Sequence, residues 1–508
     1  MVERAQMMRN REPRSQASGP VATLVSTPAQ HPRLVLALVS VFYGAISLVL
    51  IRPSFWFEWD ETVNISQVSR LAPPGPFTAP RARGMPWLLA PVTDLTTSTI
   101  ALRVYLVLLS SVGLYLAFRP WLRLRPGWVV PGAAFMFSTL WVALYYGFEA
   151  MPNFYVAIGV VAAVAHFLLA AREPHRRRDA LIVVAWLAFV ALIRPTDAVY
   201  AAVPLLVCAV LVGGLVRRRR TVLLAAVVGG VAIGWIEWAA EAFAYYGGLS
   251  QRLRAASAEN DSGLHFTLVK EARALTGPTL CRGHCSHPIV WPAVLWWFVL
   301  AALVVIGLVI AHRRGKRVVY LLPTAVGLAV MAEYVFTIDY AAARFLLPGY
   351  ALLALPAAEG VAWLCSAASD RPHPQVRRLG IVLAVVAVGI AHMAVQAWVL
   401  ETKILPEQRA ERAQYLGVVR ALRALHLRHP CDVVGYYSPP IAYGAGCASL
   451  PTPAHRQRFN AVVADGRTTT VFLAVRPASA RDFAATWPVY RLQDPHLRHA
   501  WYAYVHRP

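Results

Sequence analysis

The chain has 508 residues, 57% of them hydrophobic and only 15% charged, against about 25% charged in an ordinary soluble protein. Disordered, fibrous and small secreted classes are excluded, and a polytopic membrane protein is indicated. The formal charge of +23 does not call for nucleic acid, because basic residues in a membrane chain gather in its cytoplasmic turns. Of the 49 basic residues only Lys270, Lys316 and Lys403 are lysine. Beside the abundant Ala and Val, this arginine bias fits the codon usage of a high-GC bacterium.

About 20 apolar residues cross the hydrocarbon layer as a helix, and eleven stretches qualify: 34–51, 99–118, 128–147, 153–171, 180–193, 198–216, 221–244, 289–311, 318–338, 345–366 and 379–400. Arg194-Pro195 interrupts the pair 180–216, which reads as two short spans or as one broken helix. The Arg-rich tail 1–33, Arg119–Arg125, Arg172–Arg178, Arg217–Arg220, Arg313–Arg317 and Arg371–Arg378 all fall on one side of an eleven-span arrangement. The positive-inside rule then puts the N-terminus in the cytoplasm and residues after 400 outside a bacterial plasma membrane. No small-residue cleavage site precedes the first span, which reads as a retained helix.

The expected organisation is a cytoplasmic tail (1–33), a membrane domain (34–400) with long outer loops at 52–98 and 245–288, and a small extracytoplasmic α/β domain (401–508). In the last, strand-like runs (Asp432–Tyr437, Thr469–Val475, Ala500–His506) follow a helical stretch from Glu407 to His426. That domain is long enough to fold alone. Cys281 with Cys285, and Cys431 with Cys447, are expected to form local disulfides on the oxidising side. The rival is a zinc site at Cys281, His284, Cys285 and His287, whose spacing departs from common structural sites.

Directly after the first span stands Phe55-Trp56-Phe57-Glu58-Trp59-Asp60-Glu61, three carboxylates among aromatic rings. An aromatic belt marks any membrane boundary, but acids crowded beside apolar rings acquire raised pKa values and become candidate bases. Arg81 and Arg83 follow in the same loop. Glu149, Arg194-Pro195-Thr196-Asp197, Glu237, Glu241, Asp339 and Arg344 stand at the outer ends of later spans. Charges so near hydrocarbon face a cavity or one another. The polar stretch from Glu259 to His265 reads as a mobile loop over the site.

Taken in order, these features resemble the polytopic glycosyltransferases of the GT-C superfold, which use polyprenyl-phosphate-linked sugars. Such enzymes carry an acidic pair just after the first helix, as Asp60-Glu61 stands here. The branch that transfers mannose to lipid-linked glycans adds Arg-Pro-Thr, matched by Arg194-Pro195-Thr196, and then Arg-Phe-Leu-Leu-Pro, matched by Arg344 to Pro348. Where that branch has a His-Lys-Glu type stretch, this chain has Asp339-Tyr340-Ala341-Ala342-Ala343, which leaves mannosyl, arabinosyl or another hexosyl or pentosyl transfer open.

The resemblance implies an inverting transferase with Asp60 as base and Glu61 orienting the acceptor or sharing that role. Arg344, then Arg194 and Arg83, would hold the donor phosphate, while Glu58, Trp59, Glu149 and His265 would contact substrate. Its partners would be a polyprenyl-phosphate-linked sugar donor, a glycan or lipid-linked acceptor and membrane lipids. No cofactor is required; Glu149 or Glu58 could hold a divalent metal, which is not predicted. The alternative is a multi-span transporter or flippase working through Glu333 and Glu359, the exceptions among acids that mostly stand at the outer ends of the spans. A second is a scaffold whose basic terminal domain binds an anionic cell-wall polymer.

Overall fold

The computed structural model describes residues 31–172, 177–211, 217–366, 374–450, 468–477, 484 and 486–507. Most of the Arg-rich tail and much of Arg371–Arg378 lie outside them. Among the described residues, all eleven apolar stretches fall on helices. Among the described residues eight helices are long and apolar enough to cross a membrane, or nine if one bent pair counts as a single span.

That bent pair corrects the third predicted span. Val129–Ser138 and Trp141–Phe148 meet at 72°, with Leu140 in an extended conformation between them. A helix restarted within a bundle has backbone N–H groups to satisfy. Here the Trp141 N–H finds the Gln396 side chain at 3.0 Å. The ambiguous pair resolves as two helices, Arg177–Ile193 and Pro195–Leu211, because Pro195 offers no N–H to continue the first.

The best-enclosed helices are Pro152–Arg172 and Ala343–Ser366; 89% of the most apolar stretch of each is buried. Trp291–Arg313 packs against the latter at a glycine contact. A Cβ on Gly307 would lie 1.9 Å from the Pro356 carbonyl, so only glycine permits this approach.

The last long helix, Pro374–Val399, continues through a π-turn at Leu400–Ile404 into Leu405–Ala424. The anticipated domain boundary therefore falls inside an unbroken helical run. Beyond it, β1 (Cys431–Gly435), β2 (Ala448–Ser449), β3 (Thr469–Ala474), β4 (Val489–Leu492) and β5 (Trp501–His506) form a mixed sheet in the order β2-β1-β3-β5-β4. β1 runs parallel to β2 and β3, whereas β5 is antiparallel to β3 and β4. Trp56 of the first loop packs against the core of this unit, and Ser69 hydrogen-bonds Tyr443 at 2.9 Å. The terminal unit is thus docked on the first loop instead of standing apart.

A fully buried charge network makes that docking specific. All five guanidinium donors of Arg103 are used: two reach Glu61 at 2.5 and 2.9 Å. The other three meet the carbonyls of Phe55 (3.1 Å), Trp56 (2.8 Å) and Phe148 (3.1 Å). Glu61 also accepts the Ala150 N–H at 2.8 Å. Arg412, from the terminal helix, reaches Glu149 at 2.5 Å, the Trp56 carbonyl at 2.8 Å and Glu61 at 3.6 Å. Removing one partner of such a buried pair strands the other charge and costs about 3–5 kcal/mol. Arg103→Met is therefore expected to lower unfolding stability in detergent by that amount, and an unfolding curve coincident with wild type would show that the network is dispensable.

Candidate active site

Glu58-Trp59-Asp60-Glu61 divides its three acids by position. Glu58 caps the helix Trp59–Ser66, accepting the Asp60 N–H at 2.8 Å. Glu61, at the third helical position, reaches back to the Glu58 N–H at 2.9 Å and closes a capping box. Only Asp60 keeps a side chain free of helix duties, and it faces a cavity of 1870 Å³ at this end of the bundle.

Around Asp60 the cavity is lined by Glu58, Trp59, Arg81, Arg83, Arg194 and Arg344. Arg81 pairs with one Asp60 oxygen and Arg344 with the other, the latter at 2.9 Å. Burial alone would raise the Asp60 pKa, but the guanidiniums of Arg81 and Arg344 hold it below the usual carboxylate range. Glu58 moves the other way: burial, then the neighbouring Asp60 charge, pushes it up to about 8. The environment thus drives the two carboxyls apart, Asp60 toward its ionised form and Glu58 toward its protonated one.

The arginines come from three pieces of chain, with Arg81 and Arg83 sharing the first loop. Arg344 lies in a single 3₁₀ turn, Ala343–Leu346, before its helix. It is pinned from behind where Cys281 and Ala341 exchange backbone hydrogen bonds at 2.7 and 3.0 Å. Arg194 occupies the Pro195 helix break and pairs with Asp197 at 3.1 Å. Arg83 is turned to Glu241 at 2.6 Å. Arg252, wholly buried, donates to the carbonyls of Ala79 (3.1 Å) and Arg81 (3.0 Å) and fixes the loop that carries Arg81.

Sequence reasoning and structure part at several residues. Glu61 and Glu149 do not line the cavity; both are spent in the buried network with Arg103 and Arg412. His265 also lies outside the lining and faces Asp339 at 3.7 Å. Its loop is tied down by Gly263 and His265 N–H groups donating to Thr337 and Phe336 at 3.0 Å each, although Glu259 and Asn260 do reach the cavity. Glu333 and Glu359 are absent from the lining. Glu359 instead pairs with Arg125 (2.8 Å) and Arg314 (2.9 Å). Both expected cysteine pairs are bonded, Cys281 to Cys285 and Cys431 to Cys447.

Arg81 was visible in the loop, but only Arg83 was assigned to the donor phosphate; the two are two positions apart and pair with different acids, Asp60 and Glu241. Arg252 carries no motif, and nothing in the sequence singled it out.

No protein family matches the chain, and no curated protein matches it in sequence. Solved structures do. ArnT from Cupriavidus metallidurans bound to undecaprenyl phosphate superposes with a TM-score of 0.57 at 13% identity, over 92% of this chain and 97% of that one. The archaeal oligosaccharyltransferase AglB from Archaeoglobus fulgidus, in complex with an inhibitory peptide and a dolichol-phosphate, gives 0.53 at 14% identity over 87% and 70%. This chain has a GT-C-like membrane fold.

The Glu58 shift has a measurable consequence. A group whose pKa rises on folding contributes stability that is complete below its unfolded value and is lost as pH climbs through the folded one. The Glu58 contribution is thus expected to fall between pH 4.5 and about 8. Thermal unfolding across that window should show a decline in wild type that is flattened in Glu58→Gln; parallel curves would refute the assignment.

Proposed function

We propose that the protein is an inverting glycosyltransferase that moves a sugar from a polyprenyl-phosphate donor to a glycan or lipid-linked acceptor outside the plasma membrane of a bacterium. The observation that carries this reading is Asp60, ionised and facing the cavity with Arg81 and Arg344 on its two oxygens. The ArnT and AglB structures, which contain undecaprenyl phosphate and a dolichol-phosphate, support it. So does the arginine distribution, from which the positive-inside rule leads us to expect this end of the bundle outside.

In this reaction the acceptor hydroxyl oxygen attacks the anomeric carbon, the bond from that carbon to the donor phosphate oxygen breaks, and the hydroxyl proton passes to Asp60. The electron pair leaves on the lipid phosphate, where arginines offset the developing charge. Arg344 and Arg81 are first in line, with Arg194 and Arg83 also on the cavity wall. Without donor, the two arginines that would hold the phosphate instead lower the basicity of Asp60. A donor phosphate that draws them away raises the Asp60 pKa and makes it a better base only once donor is bound. A metal is not required by these steps, since the guanidiniums can supply the positive charge.

Glu61 takes a different part from the one its sequence position suggests: by pairing with Arg103 it sets the helix that aims Asp60. The residues proposed to contact substrate are therefore Asp60, Glu58, Trp59, Arg81 and the remaining cavity arginines.

A positioned general base contributes about 10²- to 10⁴-fold to rate. With radiolabelled polyprenyl-phosphate monosaccharides and membranes as acceptor source, Asp60→Asn should lose transfer by that factor while its unfolding temperature stays at the wild-type value. Turnover near wild type in that variant would sink the assignment of Asp60 as base.

A further inference from the structure

The terminal segment carries 14 Lys and Arg against 7 Asp and Glu, yet the surface it turns to the cavity includes Glu407, Glu411 and Asp432. Its two cavity-lining basic residues, Arg498 and His499, are solvent-exposed. Basic composition and acidic lining point in opposite directions, so the lining is not a sample of the domain surface.

Aromatic rings stand among these acids. Tyr415, Tyr436, Tyr437 and Trp501 all line the cavity. Their rings are mutually packed, with centroids 4.4 Å apart for Tyr436–Tyr437, 5.0 Å for Tyr415–Tyr437 and 5.6 Å for Tyr436–Trp501. Tyr437 sits in the left-handed region at φ 50° and ψ 35°, a costly conformation for a bulky residue that clusters at functional sites. Tyr436 remains 47% exposed.

Asp432 supplies an independent observation. It is 7% exposed, and its Oδ2 has no hydrogen-bond partner among the described residues. A buried carboxylate oxygen left unmade is expensive, and a native structure reserves one for a ligand or for water. β1 carries Asp432 and lies between its parallel neighbours β2 and β3. Its carboxyl end runs into Tyr436 and Tyr437, and Asp432, Gly435 and both tyrosines line the same cavity.

We propose that this face is an acceptor subsite for an uncharged, hydroxyl-rich saccharide. The inference rests on the transferase reading and names the class of its acceptor. Carboxylates only accept hydrogen bonds, so the ligand must present donors. Anionic groups are repelled by Asp432 and Glu411. The flat aromatic faces take the C–H surface of a sugar ring while hydroxyls reach the acids. The cavity is thereby divided: arginines around Asp60 take the donor phosphate, and the acidic, aromatic wall takes a neutral glycan.

The test uses the full chain in lipid nanodiscs, without donor lipid, on an array of neutral, amino-bearing and phosphorylated oligosaccharides. Neutral oligosaccharides should bind and phosphorylated ones should not. Tyr436→Ala, at an exposed ring, and the isosteric Asp432→Asn should each weaken binding about tenfold or more, with wild-type unfolding temperatures. The proposal is overturned if wild type binds no saccharide, if it prefers phosphorylated or amino-bearing ones, or if both variants bind as wild type does. The two readings fail separately. Asp60-dependent transfer without saccharide binding removes the subsite alone, whereas saccharide binding with transfer indifferent to Asp60 removes the proposed chemistry alone.

Discussion

The buried network of Glu61, Arg103, Glu149 and Arg412 is the constraint on which the rest of this end of the molecule depends. It joins four segments distant in sequence: the first loop, the helix Thr99–Phe118, the turn after Phe148 and the terminal helix. Charges removed from water are tolerated only when paired and hydrogen-bonded. Each partner therefore has one acceptable place, and the loop bearing Asp60 inherits that precision. The arrangement explains why the terminal unit is docked: Arg412 closes both the network and the junction.

Precision at Asp60 follows from this. Its helix is short, eight residues, and would be marginal by itself. Capping by Glu58 and Glu61 sets its start, and the Glu61–Arg103 pair anchors it to a membrane helix. The acidic trio thus works as one aimed carboxylate and two supports. Arg252 has the same supporting part for the opposite strand of the loop, holding the carbonyls on either side of Pro80 so that Arg81 reaches Asp60.

The fold was largely legible in the sequence because apolar length and arginine placement are enforced by the bilayer everywhere along the chain. The exceptions were breaks. Pro195 announced one, whereas the bend between Ser138 and Trp141 has no proline or glycine at its corner and is satisfied by Gln396 from another helix. In the cavity lining, Asp60, Arg344 and Arg194 are residues that order and residue type had singled out. Glu61 and Glu149 were misread because an acid at a membrane boundary looks the same whether it faces a cavity or a buried arginine. Only the positions of Arg103 and Arg412 decide between those cases, and Arg412 lies 351 positions from Glu61. Capping-box spacing, Glu58 to Glu61, was the one local signal that could have removed Glu61 from the candidates.

The chemical division of the cavity bears on how a transferase of this kind would keep its substrates apart. One wall carries Arg81, Arg83, Arg194 and Arg344 and belongs to the membrane helices and their loops; the other carries Glu407, Glu411, Asp432 and the packed aromatic rings and belongs to the terminal unit. A phosphate placed against Asp432 and Glu411 is repelled and gains nothing from their oxygens, while a neutral glycan among the arginines leaves charge-assisted bonds unmade. Each substrate is disfavoured in the other's place, which is specificity by mismatch as much as by fit. The terminal unit can then vary its aromatic wall without replacing the arginines around Asp60, because the two sets of side chains belong to different elements.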